Sequence, residues 1–182
     1  MLSRVNRHWL WPAVVIAVLA FAVAGYSVLP GRTPDVAQAT PVRSGPFEVT
    51  VKGLGSQAPL ALSDPANHWI VVVARVELTA TRSWPGLPVL LRLPDVTGLV
   101  SQEPQVYLVR DGSTGGPLQP GLPEDLAYCW EQRAGTPAPT QAKVDIGRYV
   151  ALAQNPAGQQ QWAPAGTAAI VTAASAKPEP KK

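Results

Sequence analysis

Trp69-Ile-Val-Val-Val-Ala-Arg-Val-Glu-Leu-Thr-Ala-Thr81 puts Ile70, Val72, Ala74, Val76 and Leu78 on one parity and Arg75, Glu77 and Thr79 on the other. That two-residue period belongs to a strand with one face in a core, because successive strand side chains point to opposite sides of a sheet. At the start of the strand Trp69, Val71 and Val73 are apolar on the second parity as well, so that end is covered on both sides. Arg75 and Glu77 mark where the cover stops.

Working outward, the same alternation recurs. Phe47, Val49 and Val51 alternate with Glu48, Thr50 and Lys52, which predicts the first strand of the domain. Val89 to Leu93, Gln105 to Arg110, Val144 to Leu152 and Thr167 to Val171 read as further strands. Leu126, Tyr128 and Trp130 share an inward parity, which turns Cys129 toward the wetter side. Between these runs lie Trp84-Pro-Gly-Leu-Pro88, Asp111 to Pro117 and Leu118 to Pro123, whose glycines and prolines end ladders and begin turns. Twenty prolines and fifteen glycines in 182 residues disfavour long soluble helices. About seven short strands between Phe47 and Thr172 predict an all-β protein, an immunoglobulin-like antiparallel β-sandwich. Cys129 is the one cysteine, so no intrachain disulfide joins the sheets and apolar burial must do so.

Ahead of the strands, Leu10 to Leu29 is an uncharged apolar run of about the length of a bilayer's hydrocarbon core. Pro12 falls in the first turn of such a helix, where a missing N–H is tolerated. Phe21 lies within the run, and Tyr26 near its end suits an interface, as do Trp9 and Trp11 at the start. Arg4 and Arg7 place the N-terminus in the cytoplasm and send the rest of the chain outward. The reading is a single transmembrane signal anchor. Its rival is a removed signal peptide, with Ala22-Val23-Ala24 as the cleavage site and a secreted soluble product ending its leader near Ala24.

The chain therefore divides into a cytoplasmic basic N-terminus (1–9), a transmembrane helix (10–29), an extended Pro/Thr linker (30–45), an extracytoplasmic β-sandwich (46–172) and a disordered Lys/Pro tail (173–182). Beyond residue 29 the sequence holds 13 Lys and Arg against 12 Asp and Glu, a near balance that argues against a nucleic-acid surface.

The anchor, the tether, the Trp69–Ala80 strand and the later Leu118-Gln-Pro-Gly-Leu-Pro-Glu124 turn followed by a strand resemble bacterial extracytoplasmic immunoglobulin-like domains. Among these the chain is similar to the DUF4352 or telokin-like group of actinobacterial type, from about Phe47 to Val171. The resemblance implies a membrane-tethered sensing, binding or accessory module of the cell envelope, with no catalytic residues to carry over.

Motifs that carry chemistry are sparse. Ser63, Asp64 and His68 lie close together in sequence, but no Gly-x-Ser-x-Gly elbow presents a nucleophile, and an ordinary turn explains them. No Cys or His spacing suits a metal, Asp111-Gly-Ser-Thr lacks the remaining ligands of a calcium loop, and no glycine loop suits a phosphate. No cofactor is implied. Glu124 and Asp125, adjacent on a strand, point to opposite faces. Trp84 and Arg82, together in a loop, have the composition of an interface anchor and are the candidate partner contact; the alternative is a tryptophan folded back over the end of the sandwich. The expected function is that of a non-enzymatic binding or accessory module whose partners are the lipid bilayer and another envelope or membrane protein. An exported hydrolase or transferase, with its site assembled from distant residues, is the competing class.

Overall fold

The computed structural model describes residues 33–156 and 158–175, and every described element is a strand. The expected span, with Leu10, Pro12, Phe21, Tyr26 and Leu29, lies outside the described residues, as do the basic N-terminus and residues 176–182. Nine strands follow in order: β1 (Asp35–Val36), β2 (Val42–Ser44), β3 (Phe47–Gly55), β4 (His68–Leu78), β5 (Leu91–Arg92), β6 (Gln105–Leu108), β7 (Glu124–Gln132), β8 (Gln141–Ala151) and β9 (Trp162–Ala174). They form two sheets, β1-β9-β8-β5 and β2-β3-β4-β7-β6. All neighbours are antiparallel except β1 and β9, which run parallel. The described residues form a β-sandwich.

The alternation of β4 dictates the core. Ile70, Val72, Ala74, Val76 and Leu78 are buried with Phe47, Val49 and Val51 of β3 and with Leu126, Tyr128 and Trp130 of β7. Against them pack Leu91 of β5, Val144 and Ile146 of β8, and Ala169, Val171 and Ala173 of β9. Polar atoms inside this layer are satisfied, as burial requires: the Tyr128 hydroxyl donates to the Pro88 carbonyl at 3.1 Å, and the Trp130 indole N–H to the Gln102 carbonyl at 3.1 Å. The fully buried Ser44 of β2 crosses the gap between sheets, its hydroxyl donating to the Gly147 carbonyl on β8 at 2.5 Å.

A second apolar layer lies on the outer face of the five-stranded sheet. Trp69, Val71, Tyr107, Ala127 and Cys129 are buried there, with Ala58, Leu60 and Leu62 of the β3–β4 connection packed on them. The expectation that Cys129 faces the wetter side is thus corrected. It pairs across the ladder with Val71 and lies beneath the same cover, 1% exposed. The cover, residues 56–67, is fastened at two points. The Trp69 indole donates to the Leu60 carbonyl at 3.2 Å, and Glu131 Oε1 accepts from the Ser63 N–H (2.9 Å), the Ser63 hydroxyl (2.7 Å), the Asp64 N–H (3.2 Å) and the Asn67 side-chain amide (2.7 Å).

Several boundaries differ from those expected: the strand expected to reach Thr81 ends at Leu78, that expected to reach Arg110 ends at Leu108, and the last two strands begin earlier, at Gln141 and Trp162. Residues 33–44, taken as linker, contribute β1 and β2. The Ile170 N–H donates to the Pro34 carbonyl at 2.9 Å, and Val42 to Ser44 pair with Phe47 to Val49. Their edge positions need few ladder partners, which is why a Pro/Thr-rich stretch can serve. Val89 to Leu93 shortens to the two residues of β5, where Leu91 pairs with Ile146 and Arg92 with Asp145 of β8, and the Gly147 N–H donates to the Leu90 carbonyl at 2.7 Å just beyond that ladder. At the far end β9 runs on to Ala174, and Ser175 bridges to Leu54, so the domain extends past residue 172.

Candidate functional site

One end of the sandwich gathers the β4–β5 connection (79–90), the β6–β7 connection (109–123) and the described residues at the tip of the β8–β9 hairpin (152–156 and 158–161). Two prolines and Gly86 stop any ladder between Trp84 and Pro88, and the segment turns back on the sheet end instead. Backbone bonds hold it there. The Trp84 N–H donates to the Leu118 carbonyl and the Leu118 N–H to the Trp84 carbonyl, both at 3.0 Å, while the Ser83 hydroxyl donates to Gln119 Oε1 at 2.8 Å. The Leu118–Glu124 stretch thus acts as a brace for the neighbouring loop.

Trp84 is half-buried. Its ring meets Phe47 edge-on at 4.8 Å between centroids and Tyr149 edge-on at 5.8 Å, and Phe47 and Tyr149 meet at 5.6 Å. Edge-to-face contacts of this kind suit the ring quadrupoles. So the indole does fold over the end of the core, as the alternative reading had it, yet it also lines an open cleft of about 650 Å³ with Arg82. The opposite wall comes from the hairpin tip, through Trp162 of β9, Gln154 and Gln160. The tip is internally bonded. The Leu152 N–H donates to the Gln161 carbonyl at 2.8 Å, the Gln159 N–H to Asn155 Oδ1 at 2.9 Å, and the Gln160 side-chain amide to the Leu152 and Gln161 carbonyls. Sequence reasoning found Arg82 and Trp84 but missed Trp162 and the glutamines, which lie some 70 residues further along the chain and carry no motif.

The residues weighed as a triad are not brought together. Ser63 gives its hydroxyl to Glu131, whereas His68 Nε2 donates to Gln132 Oε1 at 2.6 Å. The Gln132 amide is oriented by donating to the Thr97 carbonyl at 2.8 Å, so its oxygen must face the imidazole, and Nε2 carries the proton. Asp111 caps its own turn by accepting the Ser113 N–H at 3.0 Å, which holds its carboxyl below the usual range. Glu124 and Asp125 point to opposite faces, as read from the sequence. Glu124 pairs with Arg110 at 2.9 Å and Asp125 with Lys52 at 2.7 Å. Burial pushes the Cys129 thiol up to about 12, so it is not a thiolate at neutral pH.

No family model matches this sequence, and no curated protein does. Among solved structures, the chain is similar to an uncharacterised β-sandwich protein from Clostridium difficile 630, at 9% identity and a TM-score of 0.46, over 78% of this chain and 94% of that one.

Proposed function

We propose that the chain is a membrane-anchored, extracytoplasmic binding or accessory module of the cell envelope that holds a partner rather than transforming a substrate. The scaffold of this reading is an immunoglobulin-like sandwich. In its support, β3-β4-β7-β6 facing β5-β8-β9 has the connectivity of the A-B-E-D and C-F-G sheets of a constant-type immunoglobulin domain, with β1 added beside β9 and β2 beside β3. On such a scaffold the loops at one end are free to vary while the sheets stay fixed, and binding residues concentrate there. The DUF4352 or telokin-like resemblance belongs to the same reading.

The anchor is residues 10–29, with the N-terminus cytoplasmic and the sandwich outside, and residues 30–34 are the linker that remains once β1 is counted. The bilayer is one partner. The other is an envelope or membrane protein, or a ligand, received at the loop end.

The observation that carries the proposal is the cleft in which Arg82 and Trp84 face Trp162 across two loops. A photo-crosslinking residue placed at Gln154 in intact cells tests it. The expected result is a specific adduct that disappears in Arg82→Ala while melting temperature is unchanged. An adduct pattern indifferent to Arg82, or none above that of a residue on the opposite end of the sandwich, rejects the loop-end assignment. Reporters fused after Lys182 test the topology, and a cytosolic signal rejects the anchor.

A further inference from the structure

We infer that the loop-end cleft takes a carboxylate-bearing saccharide; this rests on the proposed role of that end as the binding surface. Three clefts can be compared by their charge. The one beside β8 contains Lys143 with Asp95 at 3.6 Å, and the one beside β6 contains Arg110 with Asp111 at 3.3 Å. In both, the cation is answered by a carboxylate in the same wall. In the loop-end cleft Arg82 has no polar partner among the described residues, and none of the described lining residues is acidic. The cleft presents one uncompensated positive charge, in a fork geometry that matches a carboxylate.

The rest of the lining selects the kind of acid. Trp84 and Trp162 are both half-buried, and both line the cleft. A flat π surface receives the apolar C–H face of a sugar ring. Around the indoles stand Gln154, whose amide offers both donors and an acceptor to hydroxyl or acetamido groups, and Gln160, whose amide N–H groups are engaged by the Leu152 and Gln161 carbonyls so that its oxygen is left to accept. Gln154 has no polar partner of its own among the described residues. A small inorganic anion would leave most of 650 Å³ and both indoles unused, and an aliphatic acid would leave the amides unanswered. A ring bearing hydroxyls and a carboxylate uses all three kinds of group.

Calorimetry and tryptophan fluorescence on the full-length chain test this with three carboxylated oligosaccharides: hexagalacturonate, a hyaluronan hexasaccharide, and N-acetylglucosaminyl-N-acetylmuramic acid oligomers freed of peptide. Cellohexaose and chitohexaose are the neutral counterparts. At least one acid is expected to bind about tenfold or more tighter than its neutral counterpart, to perturb indole emission, and to weaken with salt. Arg82→Gln is expected to erase that preference, and Gln154→Ala to weaken acid and neutral sugar alike, without a change in melting temperature. Equal binding of acids and neutral sugars, acid binding that survives Arg82→Gln, or no binding across the panel overturns the inference. A Gln154 crosslink to a protein with no saccharide bound removes the sugar and leaves the loop-end module standing; absence of both removes the two together.

Discussion

The Asn67 side-chain amide donates to Glu131 Oε1 at 2.7 Å, and this single contact joins the end of the β3–β4 connection to the strand whose outer face that connection covers. The same oxygen takes three further donors from Ser63 and Asp64, so one carboxylate fastens the cover over Trp69, Val71, Tyr107, Ala127 and Cys129. Replacing it by the amide in Glu131→Gln removes the charge that makes these bonds strong. Amide exchange over residues 58–66 is expected to quicken by about tenfold, with β7 itself unchanged, since the cover opens as a local unit. Hydrogen exchange by mass spectrometry measures it.

Acid acts on the same fastening. The four donors hold the Glu131 carboxyl at about 2, against an ordinary value of 4.5. Between these two values the unfolded chain binds a proton that the folded chain does not, so stability rises with pH through that window. The contribution is complete above 4.5 and is lost progressively as pH falls toward 2. Protection of residues 58–66 is expected to be flat above that window and to fall within it, and the slope is expected to vanish in Glu131→Gln.

Cys129 reports on the cover from beneath. Burial that raises its thiol to about 12 also blocks reagents, so alkylation of the native chain at neutral pH is expected to be slow, and a disulfide between copies is not expected to form. Glu131→Gln is expected to speed alkylation in parallel with exchange of the cover. Fast labelling of the wild type would show that the cover does not seal the layer.

Between the sheets, the Ser44 hydroxyl is the donor that answers the Gly147 carbonyl where β8 bulges. Ser44→Ala leaves that carbonyl without its donor in a buried site and is expected to cost about 1–3 kcal/mol by urea unfolding, with no change in the m-value.

The neighbouring turn has no room for a side chain. Gly45 sits at φ +58°, and a Cβ there would stand 2.7 Å from Tyr149 Cβ and 2.8 Å from the Tyr149 carbonyl oxygen. Gly45→Ala is expected to destabilise by about 2–4 kcal/mol, combining backbone strain with overpacking. It is also expected to disturb the Phe47–Trp84–Tyr149 cluster, which near-ultraviolet circular dichroism reads directly.

What the sequence disclosed was local. The parity of Ile70 to Leu78 and of Leu126 to Trp130 is a property of each strand alone, and it placed the core on the correct faces. Cys129 was misplaced because its cover comes from residues 56–67 and its ladder partner is Val71, and neither relation is written in the flanking residues. The double cover over Trp69, Val71 and Val73 was legible, so knowledge of the register would have been enough to carry it to Cys129. Residues 33–44 looked like a tether because edge strands with few ladder bonds tolerate proline and need little alternation. At the cleft, Arg82 and Trp84 were visible from composition, whereas Trp162 and Gln154 join them only once the β8–β9 hairpin is folded.

The parallel seating of β1 on β9 bears on how the domain takes mechanical load. A pull on the chain ahead of Thr33, opposed at Ser175, runs along both strands in opposite senses, so the contacts between Pro34–Val36 and Ile170–Val171 are sheared all at once instead of being unzipped singly. Tension entering from the N-terminal side therefore meets this sheared pair of strands first, before any of it reaches the loops at the cleft.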